Sequence, residues 1–303
     1  MKLVSFRHPF ISLLIAVLLL FITRNLTAQP AGSDRVSPVV TAEWVKQNSS
    51  QPGVIILHVS TTKRDYENGH IPGARFLWPG YIITSTETES TVPAPADDAA
   101  KKLRELGVNN DSHIILCGIY GNIVQVCRVF VSLEHYGLRG RVSILNGGFE
   151  AWQNAGYEST TSVPAPVKGK FSPVIYENLV DGGFVKSNLK NSSFTIIDAR
   201  AKNQYEGSTW TSRAGHIPGA KNLPQLDVYD GKTFMFHDAD TIKAAFEKIN
   251  IPSGSRPLLY CNIGNSASVD YVAAIIAGYE PWIYDGSMEE WGSRFDWPME
   301  KKE

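Results

Sequence analysis

Cys261 closes the apolar run Pro257-Leu258-Leu259-Tyr260. It opens the stretch Asn262-Ile263-Gly264-Asn265-Ser266-Ala267-Ser268, which leads into a helical pattern over Val269 to Ala277. A thiol at the end of an extended run, followed by a tight loop and a helix start, is positioned to act as a nucleophile. Backbone N–H groups of such a loop converge on the sulfur, and the helix N-terminus adds positive potential. Both effects favour thiolate over thiol, so the sequence predicts a lowered Cys261 pKa. The same cradle suits an anionic persulfide. Gly264 allows the close curvature, Asn262 and Asn265 tolerate left-handed backbone, and Ser266 is expected to cap the helix or donate to the sulfur. Ile263 completes the loop.

The other two thiols are Cys117 and Cys127. Cys117 also ends an apolar run, His113-Ile114-Ile115-Leu116, and is a second candidate site. Its loop, Gly118-Ile119-Tyr120-Gly121-Asn122-Ile123, has a different glycine spacing when counted from the cysteine. Cys127 lies inside a helical run and reads as packing, with a Cys117–Cys127 disulfide as the alternative in an exported protein. An odd count of three is no disulfide framework, and no pair has the C-x-x-C spacing of a zinc or thioredoxin-type site. No metal or organic cofactor is implied. Cysteine phosphatases and arsenate reductases share the strand–Cys–loop–helix pattern, but they grip an oxyanion with arginine at C-x-x-x-x-x-R spacing. Ala267 and Ile123 stand there instead, which argues against phosphoryl chemistry.

The elements that position these cysteines occur in duplicate. Gly69-His70-Ile71-Pro72-Gly73-Ala74 recurs as Gly215-His216-Ile217-Pro218-Gly219-Ala220, and each copy is preceded by Tyr-Glu, at Tyr66-Glu67 and Tyr205-Glu206. Each unit then runs through a cysteine-ending strand, a helix and a short strand, Val142 to Leu145 or Trp282 to Tyr284. The units close on Asn146-Gly147-Gly148-Phe149-Glu150-Ala151-Trp152 and Asp285-Gly286-Ser287-Met288-Glu289-Glu290-Trp291. The Ser-, Thr-, Pro- and Lys-rich stretch 158–173 is a linker between domains at 36–157 and 174–299. Short apolar runs (Gly53 to Val59, Phe194 to Asp198) alternate with helical patterns (Thr41 to Gln47, Ala96 to Leu106, Thr241 to Lys248). This predicts an α/β fold in which each domain is a mainly parallel sheet flanked by helices. Ligands of such sheets bind at the C-terminal strand ends, where Cys261 falls. The duplicated His70 and His216 read as turn residues bonding backbone, not as bases.

A formal net charge of -1 over 303 residues gives no basic excess for a nucleic-acid partner. Lys2 and Arg7, the apolar run Phe10 to Ile22 and Thr27-Ala28 predict a signal peptide over residues 1–28, and hence export to the periplasm or the medium. An uncleaved anchor is the competing reading, because Leu26 fits the cleavage pattern poorly. No stable membrane insertion is expected once the signal is removed.

Taken together, Asp198-Ala199-Arg200 after a strand, the two Gly-His-Ile-Pro-Gly-Ala motifs, the loop Cys261 to Ser266, and Tyr284-Asp285-Gly286-Ser287 before Trp291 resemble the tandem rhodanese-family sulfurtransferases. That group contains the thiosulfate and 3-mercaptopyruvate sulfurtransferases. The resemblance implies two rhodanese-like domains and an active site in the C-terminal domain at the cleft between them. It also implies a ping-pong cycle in which Cys261 takes sulfur from an anionic small-molecule donor and passes it to cyanide or a thiol. By the same resemblance Arg200 binds the anionic end of the donor, with an ion pair to Asp198 or Glu206 as the alternative. Arg213 is a weaker second cation. The N-terminal domain, with His58-Val59-Ser60 where the other has Asp198-Ala199-Arg200, is expected to be non-catalytic. Asn262, Ile263 and Asn265 match neither the basic loop of thiosulfate-type members nor the small-residue loop of mercaptopyruvate-type members. Ser266 matches the hydroxyl residue expected at the loop's end. A sulfur-carrier or binding module with little turnover is the alternative function.

Overall fold

The computed structural model describes residues 35–301 other than 120, 166 and 209–211. The expected signal peptide lies outside the described residues. In the N-terminal half the elements are β1 (Val39–Val40), α1 (Ala42–Asn48), β2 (Val54–Val59), α2 (Lys63–Asn68), β3 (Arg75–Leu77), β4 (Ile83–Thr84), β5 (Val92–Pro93), α3 (Ala96–Glu105), β6 (His113–Cys117), α4 (Ile123–Leu133), β7 (Val142–Leu145) and α5 (Gly148–Asn154). The C-terminal half has β8 (Leu179–Val180), α6 (Gly182–Ser187), β9 (Phe194–Asp198), α7 (Lys202–Glu206), β10 (Lys221–Asn222), α8 (Ala239–Lys248), β11 (Arg256–Tyr260), α9 (Asn265–Ile276), β12 (Trp282–Tyr284) and α10 (Ser287–Ser293).

The two main sheets are built alike. One has the order β1-β7-β6-β2-β3 and the other, read from the matching edge, β8-β12-β11-β9-β10. Every pairing in both is parallel. Parallel strands need crossovers, and the helices supply them while covering both faces. Thr41, Asp181 and Asp238 cap α1, α6 and α8 by accepting from the amides of Trp44, Phe184 and Thr241.

Strand parity sorts the core. In β2, Ile55, Leu57 and Val59 face the partner half, whereas Ile56 faces an outer cluster. In β11, Leu259 faces inward, and Leu258 and Tyr260 face outward. The inward faces meet through α4 and α9, which merge both halves into one shared core. Both helices are buried over most of their length, including polar residues such as Arg128 and Asp270.

The stretch 158–173 forms no helix in its described residues, yet it is tied down. Thr160 and His70 exchange backbone hydrogen bonds at 2.9 Å, and the buried Phe171 donates its amide to Val108. Glu300 and His216 repeat the exchange at 2.8 and 3.0 Å. In each motif the histidine Nδ1 bonds the preceding tyrosine carbonyl, His70 to Tyr66 at 2.7 Å and His216 to Tyr205 at 2.8 Å. Each ring also stacks on that tyrosine. The histidines anchor the chain that leaves each domain.

Candidate active site

β11 ends at Tyr260, and Cys261 follows with its side chain in the shared inner core. Gly264, at φ +83°, turns the chain into α9. This glycine supplies the left-handed residue, and neither asparagine of the loop does. A Cβ at Gly264 would stand 3.3 Å from the Asp285 carbonyl oxygen and 3.3 Å from its Oδ1. The loop therefore needs glycine here for both conformation and room. α9 starts at Asn265, earlier than the periodicity places it, so Ser266 sits in the first turn and is not the cap.

The backbone amides of Ala267, Ile263 and Ser266 bear on the Cys261 thiol and favour its anion. The loop is braced from behind. Met288 N–H donates to the Cys261 carbonyl at 3.0 Å, Glu289 N–H to the Asn262 carbonyl at 2.9 Å, and Cys261 N–H to Ser287 Oγ at 3.2 Å. The cradle is thus present, but the net direction of the thiol pKa corrects the expectation. Cys261 is 1% exposed, and burial pushes its pKa up, with the three amides offsetting only part of that rise. Desolvation of a buried anion outweighs the donors.

Arg200 is also placed differently from the expectation. Its Nε and Nη2 grip Asp198 at 2.9, 3.1 and 2.6 Å, and Nη2 donates to the Gly215 carbonyl at 2.8 Å. Tyr260 Oη donates to the same carboxylate at 2.8 Å. Asp198 and Arg200 have the parity of Ile196, which faces the outer cluster with Tyr260. The guanidinium is nearly fully buried in an ion pair that pins the Gly-His-Ile-Pro-Gly-Ala turn, so it is not open to grip a donor. Against burial, Asp198 holds its pKa above the usual value, and Tyr260 and Cys261 add smaller electrostatic contributions. Arg213 is likewise engaged, donating to the carbonyls of Gly292, Trp297, Trp291 and Arg294 at the C-terminal end of α10.

Cys117 does not occupy the position of Cys261. β6 pairs Cys117 with His58, whereas β11 pairs Tyr260 with Asp198. The residue equivalent to Cys261 is Gly118. Phe149 N–H donates to the Gly118 carbonyl at 2.8 Å, as Met288 N–H does to that of Cys261. Counted from Gly118, the glycine spacing of the two loops is the same, with Gly121 at φ +82° matching Gly264. A shift of one residue flips a strand side chain to the other face. Cys117 accordingly faces the outer cluster with Ile56, Ile115 and Trp152, and burial pushes its thiol pKa far up. The cradle it was matched to has no sulfur. The Asn122 carboxamide fills it, accepting from Ile119 N–H at 3.0 Å and donating to the Val59 carbonyl at 2.8 Å. All three cysteines are free and buried.

Two residues missed by sequence reasoning reach the surroundings of the Cys261 loop from the other half. Thr91 Oγ1 donates to the Ile263 carbonyl, and Arg128 of α4 reaches Asp285.

A family model, the Rhodanese-like domain, matches residues 41–155 and 183–294. The chain belongs to the rhodanese family. Its class is that of the sulfurtransferases. It is 28% identical over 280 residues to the 3-mercaptopyruvate sulfurtransferase of Escherichia coli, covering 86% of this chain and 97% of that one. It is 29% identical over 292 residues to the sulfur carrier protein TtuD of Thermus thermophilus, covering 88% and 97%. Among solved structures, SseA of Escherichia coli, a 3-mercaptopyruvate sulfotransferase, superposes with a TM-score of 0.73 at 26% identity over 83% of this rhodanese and 99% of that chain.

Proposed function

We propose that this rhodanese moves sulfane sulfur from an anionic donor, thiosulfate or 3-mercaptopyruvate, through a Cys261 persulfide to a thiophilic acceptor such as cyanide or a thiol. The observation that carries the proposal is the Cys261 thiol placed between the C-terminal end of β11 and the first turn of α9, where the amides of Ala267, Ile263 and Ser266 favour its anion. In the first half-reaction the Cys261 thiolate attacks the outer sulfur of thiosulfate. A new S–S bond forms, the donor S–S bond breaks, and sulfite leaves with the electron pair. With 3-mercaptopyruvate the C–S bond breaks instead, and the pyruvate enolate leaves with the pair and takes up the persulfide proton. In the second half-reaction cyanide attacks the outer persulfide sulfur, thiocyanate leaves, and the Cys261 thiolate returns.

The same amides serve the thiolate and the persulfide, so the cradle stabilises the anion in both halves of the cycle. Loop residues Asn262 to Ser266 form the floor against which the donor is bound. Arg200 acts at one remove, as the partner of Asp198 and as a nearby positive charge. Export before action is part of the proposal and rests on residues 1–28. The test is cyanide-dependent thiocyanate release from each donor by the mature chain.

A second reading is a sulfur carrier with slow turnover. The burial of Cys261 and the relative named as a sulfur carrier favour it. Stable persulfidation of Cys261 without thiocyanate release would be its signature.

A further inference from the structure

Arg128 belongs to α4 of the N-terminal half, but its guanidinium serves the C-terminal half. Nη2 donates to the Thr91 carbonyl at 2.7 Å and to Asp285 Oδ1. The side chain is fully buried, and Nε and Nη1 have no hydrogen-bond partner. Nη1 lies 3.5 Å from where a Cβ on Gly264 would stand, so it faces the turn of the catalytic loop. Thr91, whose carbonyl Arg128 holds, donates from its hydroxyl to the Ile263 carbonyl. The neighbouring Ser90 donates from its amide to Glu289 Oε2 at 2.7 Å and from its hydroxyl to Oε1. Glu289 lies in α10, whose first turn also braces the Cys261 and Asn262 carbonyls.

Ile263 is therefore held from the N-terminal half. Its carbonyl accepts from Thr91, and its amide bears on the Cys261 thiol and favours the anion. Peptide planes are rigid, so the hold on the Ile263 carbonyl limits rotation about this residue and with it the aim of its amide. We propose that Thr91 and Arg128 are positioning residues, an inter-domain clamp through which the N-terminal half keeps the Ile263 amide aimed at the Cys261 sulfur. This gives the half without a cysteine in its cradle a direct part in sulfur transfer. The inference rests on Cys261 being the sulfur-carrying residue.

Alkylation of Cys261 by iodoacetamide across pH, followed on the full chain by mass spectrometry of the Cys261 peptide, tests it without requiring turnover. Asp198 and Arg200, which bear on Cys261, are untouched in all the variants, the Thr91 variants leave every charged group in place, and Arg128→Lys keeps its positive charge. Thr91→Val should move the alkylation midpoint to higher pH and slow alkylation at neutral pH by about five-fold, the factor expected for one lost hydrogen bond. Thr91→Ser, which keeps the hydroxyl, should restore the wild-type profile. Arg128→Lys keeps the charge but loses the planar fork, and should shift the profile the same way; it carries the test where Thr91→Val does not hold its fold. A folded Thr91→Val or Arg128→Lys that titrates like wild type overturns the clamp. Failure of the wild type to form thiocyanate would instead count against the sulfurtransferase reading and leave the alkylation comparison decisive for the clamp.

Discussion

Cys117 and Tyr260 stand at the same place in the two sheets, Cys117 opposite His58 and Tyr260 opposite Asp198. Both point to the outer face, away from the core shared by the two halves. Cys117 is thus a packing residue. Cys117→Ala should keep full sulfur transfer and lose about 1 kcal/mol of stability through the small cavity it leaves. Urea unfolding together with a thiocyanate assay checks both. Loss of activity in a folded Cys117→Ala protein would restore the second-site reading.

His58, beside Cys117 in the register, is fully buried against the rings of Tyr66 and Phe149, with neither ring nitrogen hydrogen-bonded. Burial lowers its pKa from 6.5 to about 4, with His70 adding to the fall and Asp65 opposing it. Between these values the unfolded chain binds a proton that the folded chain does not. The associated stability is present above pH 6.5 and is lost as pH falls toward 4, amounting to about 3 kcal/mol. Denaturant unfolding of wild type and His58→Phe at pH 4 to 7 should show this slope only in the wild type.

The Asp198–Arg200 pair is structural. Removing one member leaves a buried charge without its partner. Arg200→Ala should therefore cost about 3 kcal/mol of stability, measured by chemical denaturation. Unchanged stability with a raised donor KM would instead return Arg200 to the role of gripping the donor's anion.

The class of fold was legible because apolar runs and helical patterns alternate twice in the same order. β7, β9 and β12 have the bounds their apolar runs suggest. The slip at Cys117 has a physical source. Aligning the two cysteines is natural in a sequence, but the pleat has a period of two, and one residue of offset reverses the face. The glycine spacing held the signal, since Gly121 follows Gly118 at the interval by which Gly264 follows Cys261. The pattern Asp198-Ala199-Arg200 already contained its own ion pair, because residues two apart on a strand share a face. Thr91 carried no local mark, for its partner Ile263 lies 172 residues away. Arg128 did carry one, as a lone charge within the apolar run Ile123-Val124-Gln125-Val126-Cys127-Arg128-Val129-Phe130.

The most direct measurement is thiocyanate formation from thiosulfate and from 3-mercaptopyruvate by the wild type, Cys261→Ser and Cys117→Ser, each made without residues 1–28, after reducing pre-treatment. Sulfur transfer through Cys261 gives turnover with at least one donor, abolished in Cys261→Ser and retained in Cys117→Ser. Turnover that survives in Cys261→Ser, or its absence in the wild type with both donors, would contradict it.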